Sequence, residues 1–399
     1  MSILLLFILL LVLFFGRPCF VRELPPNGMC MTHDRTSMIN AFFILIIVLR
    51  HINQRIVPFH GVDLWYQSYF DSQTGQSIVS TFFFFSGYGI MKSILKKREV
   101  YVKELMSKRF VRLYINTAIC CAISCFVYMM THLTPSEAME SFAKTMLGLG
   151  GYWFILMTLG IYAIVWLSFK VCGLQKLTMA IVVAFVLVSL FCALLIPVKP
   201  MWWLDTELCF PCGMLMARYL TQIEDAIRRI RVPIIVVGVC VSVVGWTMMK
   251  YHMLPFHVVH EKFKLLSWLP DELQVYVGKL YHVLVYPLTT VVWVLGLLWS
   301  FASIQWQKVP SFLVWLGGPA VFYIFVLHFI PLRIVQAGRL SGPYPVLSSD
   351  INAVIVTEPT GWGLDCPELC IVGVVLCSLL LAYMAHLIIP RIDKLIFKR

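Results

Sequence analysis

Charge is what this sequence has least of. Only 20 of its 399 residues are acidic and 32 are lysine or arginine, 13% together, against 60% hydrophobic residues and a mean hydropathy of +0.84. A soluble chain of this length needs far more charge to cover its surface, so the balance excludes the ordinary soluble enzyme and places the chain in the membrane class. Internal repeats, low-complexity tails and long polar linkers are also missing, which leaves one membrane domain rather than a string of modules. The ten histidines are scattered and never fall at ligand spacing, so no metal centre is expected. Cysteine is frequent, at 13, but Cys120, Cys121 and Cys125 lie inside apolar runs, where a thiol behaves as a small hydrophobe. Cys209 and Cys212 have C-x-x-C spacing without the βαβ pattern of a redox site. The net charge of +12 would suggest nucleic acid in a soluble protein. In a membrane chain it reports where the loops lie, so no nucleic-acid partner is expected.

What the sequence does have is long apolar runs. A spanning helix needs about 20 mainly apolar residues, and eleven stretches come forward, centred near Leu9, Ile46, Phe84, Ser124, Leu159, Leu187, Phe210, Val239, Val292, Phe322 and Val375. The fold class is therefore all-α, a polytopic membrane helix bundle of about 10–11 transmembrane helices surrounded by membrane lipids. Residues 1–35 read as an N-terminal apolar segment with a cytoplasmic linker, and residues 36–399 as the membrane domain. Pro135 to Gly150 is short and amphipathic, a pattern suited to lying at the interface.

Lysine and arginine set the orientation. The stretch Lys92 to Arg112 carries eight of them, and Arg218, Arg228, Arg229, Arg231, Arg391, Lys394, Lys398 and Arg399 fall on the same side if spans alternate. The positive-inside rule puts that side in the cytoplasm, C-terminus included, in a multi-pass protein of the plasma (inner) membrane.

With that topology the run FFILIIVLRHINQ, Phe42 to Gln54, ends outside at Arg50 and His51. Asn40 and His51 are eleven residues apart, about three turns and 16 Å, so they share a face with Ile44 and Ile47, while Arg50 points about 100° away. An ionisable group in a span is a functional site by default. Near the interface, however, His51 can be hydrated and Arg50 can snorkel, and the residues alone leave the two readings even. In FFFFSGYGIMKS, Ser86, Gly87 and Gly89 permit close helix approach. Lys108 and Arg112, one helical turn apart beside Arg109, can clamp phosphates or only anchor topology. Trp153 reads as an interfacial aromatic, and Asp205 and Glu207 as acids at an outer helix end that solvation explains. Tyr323 and His328, five residues apart, fall on diverging faces.

In order along the chain, NAFFILIIVLRH, FFFFSGYGIMKS, KRFVRLY, GGYWFI, WLDTELCFPCGM and WLGGPAVFYIFVLH together resemble the acyltransferase-3 family of integral-membrane acyltransferases, from about Thr36 to Pro390. The resemblance implies that His51 is catalytic, and that Lys108, Arg109 and Arg112, with Asn40, serve an acyl-CoA donor, acetyl-CoA above all, from the cytoplasm. Lysine stands at 108 where the family's basic pair begins with arginine, and asparagine at 40 where many members have arginine. The expected reaction is O-acylation of a hydroxyl on an envelope or extracellular glycan or lipid-linked sugar, with His51 as general base. Arg50 would keep the imidazole neutral or stabilise the oxyanion. Gln54, Ser86, Trp153, Asp205, Tyr323 and His328 are the candidates for contacting the acceptor. A secondary transporter, or an inactive homologue that binds a glycan, is the rival reading.

Overall fold

The computed structural model describes residues 18–20, 31–55, 72–131, 134–147, 152–195, 201–229, 234–250, 270–302, 304–306, 309–339 and 367–397. In chain order the elements are strand β1 (Pro18–Phe20), helices α1 (His33–Arg55), α2 (Ser72–Lys97), α3 (Glu99–Leu105), a π-helical turn (Met106–Phe110), α4 (Val111–Thr131), α5 (Pro135–Met146), α6 (Trp153–Cys172), α7 (Leu177–Leu195) and a 3-10 turn (Met201–Thr206). There follow α8 (Cys209–Arg218), α9 (Leu220–Arg229), α10 (Ile234–Lys250), α11 (Asp271–Ala302), β2 (Ile304–Trp306), α12 (Ser311–Gly317), α13 (Val321–Leu327), α14 (Phe329–Arg339) and α15 (Pro367–Ile396).

The helical membrane bundle is as expected. Among the described residues, five helical stretches are long and apolar enough to cross a membrane: His33–Ile52, Gly75–Lys97, Glu99–Met130, Trp153–Cys172 and Leu369–Ile396. A sixth arises if Ser311–Gly317 and Val321–Val335, bent by 55°, count as one span. Apart from Leu9, which lies outside the described residues, every expected span centre falls on a helix. Leu187 and Val292 sit on shorter apolar stretches, and Phe210 on the ten-residue α8. The strands form the one sheet among the described residues, a three-residue antiparallel ladder with Cys19 opposite Gln305.

Small residues decide how tightly this bundle closes. A Cβ on Gly87 would run into the Phe210 carbonyl, and one on Gly213 into the Phe84 carbonyl. The α2–α8 crossing is thus made backbone to backbone, as small residues allow where helices pack inside a membrane. The core around it is Phe83, Phe84, Phe185 and Phe210, each at most 1% exposed.

Between α12 and α13 the chain reads Gly317-Gly318-Pro319. Proline has no N–H to return to the Trp315 carbonyl, which is taken instead by the Ala320 amide at 3.1 Å. Pro331 likewise removes the amide that would bond the Leu327 carbonyl, and the regular helix is interrupted at His328. The result is a short rod, α13, with a break at each end. α5 lies along α4 through Ala138, Phe142 and Met146, which pack on Cys121 and Cys125. Its amphipathic pattern is therefore satisfied by a neighbouring helix, while Met139 is left exposed.

Candidate active site

Two groups of polar side chains stand apart in the bundle. The first is at the end of α1. His51 Nδ1 lies 2.7 Å from His328 Nε2. The ring planes are within 7° and the centroids 4.9 Å apart. A nitrogen–nitrogen contact that short is incompatible with face-to-face stacking, so the rings meet edge to edge in nearly one plane, the alignment an N–H···N bond prefers. His328 is fully buried, and its Nδ1 lies 2.9 Å from the Ile324 carbonyl. A carbonyl only accepts, so His328 carries its proton on Nδ1 and offers the Nε2 lone pair. His51 must then donate from Nδ1, which places its own lone pair on Nε2. The tautomer of the catalytic candidate is thus set by a second-layer imidazole, itself set by the backbone.

Phe329 covers both rings, its centroid 4.9 Å from that of His51 and 4.1 Å from that of His328. Tyr152 meets Phe329 edge-on at 5.9 Å and donates its hydroxyl to the Val326 carbonyl at 2.9 Å. The imidazole pair is therefore held against an apolar wall fastened to α6.

Arg50 goes elsewhere. Its guanidinium lies over Gly75 of α2, where any Cβ would collide with it. The next residue, Gln76, donates to Asp205 Oδ2 at 3.0 Å, and the Asp205 carbonyl is 2.8 Å from the Thr290 hydroxyl. Asp205 and Glu207 are only 3% and 1% exposed, so the expectation that solvent accounts for these acids is corrected. The 3-10 turn packs between α2 and α11, where Gln76 takes the place of water at the Asp205 carboxylate. Glu207 Oε1 and Thr206 Oγ1 are buried with no hydrogen-bond partner.

The second group is at the basic end. Lys108 and Arg112 do not share a target. The π-helical turn Met106–Phe110 lies between α3 and α4, and the two side chains have different partners. Lys108 pairs with Glu104 on its own helix. Arg112 Nε lies 3.4 Å from Asp393 Oδ2 of α15, and its guanidinium is 5.6 Å from the Phe397 ring centroid. Asn116, one turn further along α4, donates weakly to the same Asp393 oxygen at 3.5 Å. Arg109 is turned toward Tyr162, whose hydroxyl also neighbours Ser86.

Of the remaining candidates, Tyr323 joins this basic-end group, within electrostatic reach of Asp393 and Arg112, and not the one around His51. Asn40 is on the His51 stripe with Oδ1 buried and unbonded. Trp153 is partly buried, 6.3 Å edge-on from Phe154. The side chain of Gln54 lies outside the described residues. Asn116, Phe329 and Asp393 were not singled out from the sequence. Only Asp393 leaves a trace there, as a single acid between Arg391 and Lys394.

A family model described as an acyltransferase domain matches residues 39–362, and the chain belongs to this acyltransferase-3 family. It is a multi-pass membrane acyltransferase. No curated protein and no solved structure matches it.

Proposed function

We propose that the protein transfers an acyl group, acetyl above all, from acyl-CoA on the cytoplasmic side to a hydroxyl of an envelope glycan or lipid-linked sugar on the outer side of the plasma membrane. The C-terminus then lies in the cytoplasm. The observation that carries this reading is the His51–His328 contact, because it leaves a histidine at the far end of α1 with its proton acceptor on Nε2.

In the reaction, His51 Nε2 takes the proton of the acceptor hydroxyl as its oxygen attacks the thioester carbonyl. The C–O bond forms, the tetrahedral intermediate collapses, the C–S bond breaks, and the thiolate leaves with the proton returned from His51. The products are the O-acyl sugar and free CoA. While His51 holds two protons, its Nδ1–H bond to His328 becomes charge-assisted and shorter, so His328 supports the imidazolium without a carboxylate. The family assignment favours this reading over a transporter.

The test is radiolabelled acetyl-CoA, offered to the purified protein in vesicles with a panel of glycans. Label should move to a glycan hydroxyl and should fail to do so in His51→Ala, a drop of about 10²–10⁴ in kcat. Transfer that persists in His51→Ala would overturn the assignment of the base.

A further inference from the structure

Among the described residues, two acceptor atoms at the basic end have nothing to accept. Asn116 Oδ1 and Asp393 Oδ1 are each buried with no hydrogen-bond partner, on side chains whose residues are only 8% exposed. Orphans of this kind are rare in folded proteins because each forfeits its hydration. Here they occur together, on α4 and α15, about one residue pair from Arg112. The same Asp393 faces Arg112 at its Nε, and the guanidinium lies over the Phe397 ring. That grip leaves the two terminal amino groups of Arg112 as a fork, the geometry suited to a phosphate. The Arg112 side chain is half-exposed, at 50%, and that of Asp393 is 11% exposed. An anion can therefore approach the first from solvent, while the second faces inward.

The chemistry wanted at these positions is thus ordered. A phosphate is needed at the surface, and one turn further in, about 5 Å along α4, hydrogen-bond donors are needed for two oxygens. The phosphopantetheine arm of coenzyme A carries both in that order, a phosphate followed by secondary amides whose N–H groups donate. From Arg112, α4 runs on past Asn116 and Cys120 to Ser124, about 18 Å along the helix axis. Cys120 and Ser124 there neighbour Tyr152, whose ring abuts the Phe329 that covers the histidine pair. Buried side chains thus connect the basic end to the surroundings of the histidine pair.

We propose that Asn116 and Asp393 bind the amides of the donor's pantetheine arm, with Asp393 also holding Arg112 in place for the adjoining phosphate. The inference rests on the acyl-CoA reading above and extends it to α15, because Asp393 and Phe397 lie beyond residue 362, where the family match ends.

The experiment measures binding of two probes to the purified full-length protein. One is coenzyme A; the other is adenosine 3′-phosphate 5′-diphosphate, which keeps the phosphates and lacks the pantetheine amides. Asn116→Leu, close in size, should weaken coenzyme A about tenfold, the value of one lost hydrogen bond of about 1.4 kcal/mol, and leave the amide-free probe unchanged. Asp393→Asn should weaken both probes, since it releases Arg112 as well as removing an acceptor. Melting temperatures of both variants check folding. Equal losses for both probes in Asn116→Leu, or no loss for coenzyme A, would overturn the proposal while leaving the donor reading intact. Failure of the wild-type protein to bind coenzyme A would sink the donor reading and this one with it.

Discussion

The two polar groups of this bundle differ in how finished they are. Around His51 each hydrogen bond is closed within the protein: backbone carbonyl to His328, His328 to His51, and an aromatic wall over both. Around Arg112 the distances are longer, the arginine is half in solvent, and two buried oxygens accept nothing. On the proposed reading, the contrast is between a reaction centre that is preorganised, with little left to reorganise at the moment of proton transfer, and a basic end that completes its hydrogen bonding when the donor binds.

The contrast can be broken most directly at His328. His328→Ala removes the acceptor for His51 Nδ1–H and frees the tautomer, and should lower kcat about 10²-fold while the donor KM changes little. Steady-state kinetics with the donor varied measures both, and a rise in KM at constant kcat would show that His328 serves binding instead. Arg112→Gln should do the reverse, raising the donor KM about tenfold with kcat nearly intact. Lys108→Gln should do less, since that side chain is already paired with Glu104 on the surface, where such pairs are weak.

Gly75→Ala tests the Arg50 side of the site. The added methyl group displaces a flexible guanidinium rather than backbone, so the melting temperature should hardly move while acceptor kcat/KM falls a few-fold. A large loss of stability with unchanged kinetics would show that Arg50 only packs there.

The smallest effect is expected far from both groups, at the start of α5. There Thr134 donates its amide and hydroxyl to Glu137 at 2.8 and 2.7 Å, which holds that carboxyl below its ordinary pKa. A lowered pKa adds stability that is present above the ordinary carboxylate range and is lost as the pH falls through the lowered value. Proteolysis of α5 should therefore be faster in Glu137→Gln at neutral pH and equal in the two proteins under acid.

The helices were legible in the sequence because hydrophobic runs of spanning length have few alternatives, and even the Phe210 segment, with two acids at its start, is helical. His51 was legible because it ends such a run. His328 was singled out as well, but its pairing with His51 was not legible, since the two are separated by 277 residues and no local pattern links them. The same separation hides Asp393 from Asn116. At Lys108 and Arg112 the four-residue spacing carries no sign of their separate partners, Glu104 and Asp393. Charge misled at Asp205 and Glu207, since acids next to a helix end read as solvated, while the fold buries both.

Phe397 lying near the Arg112 guanidinium has a practical consequence. A purification tag joined after Arg399 would begin two residues from that contact, and trimming the chain to the segment that defines the family would discard the carboxylate that holds the arginine. On the proposed reading, kinetics gathered on either version would describe a protein with an altered donor entrance. A tag placed elsewhere, with α15 whole, keeps that entrance in the sample being measured.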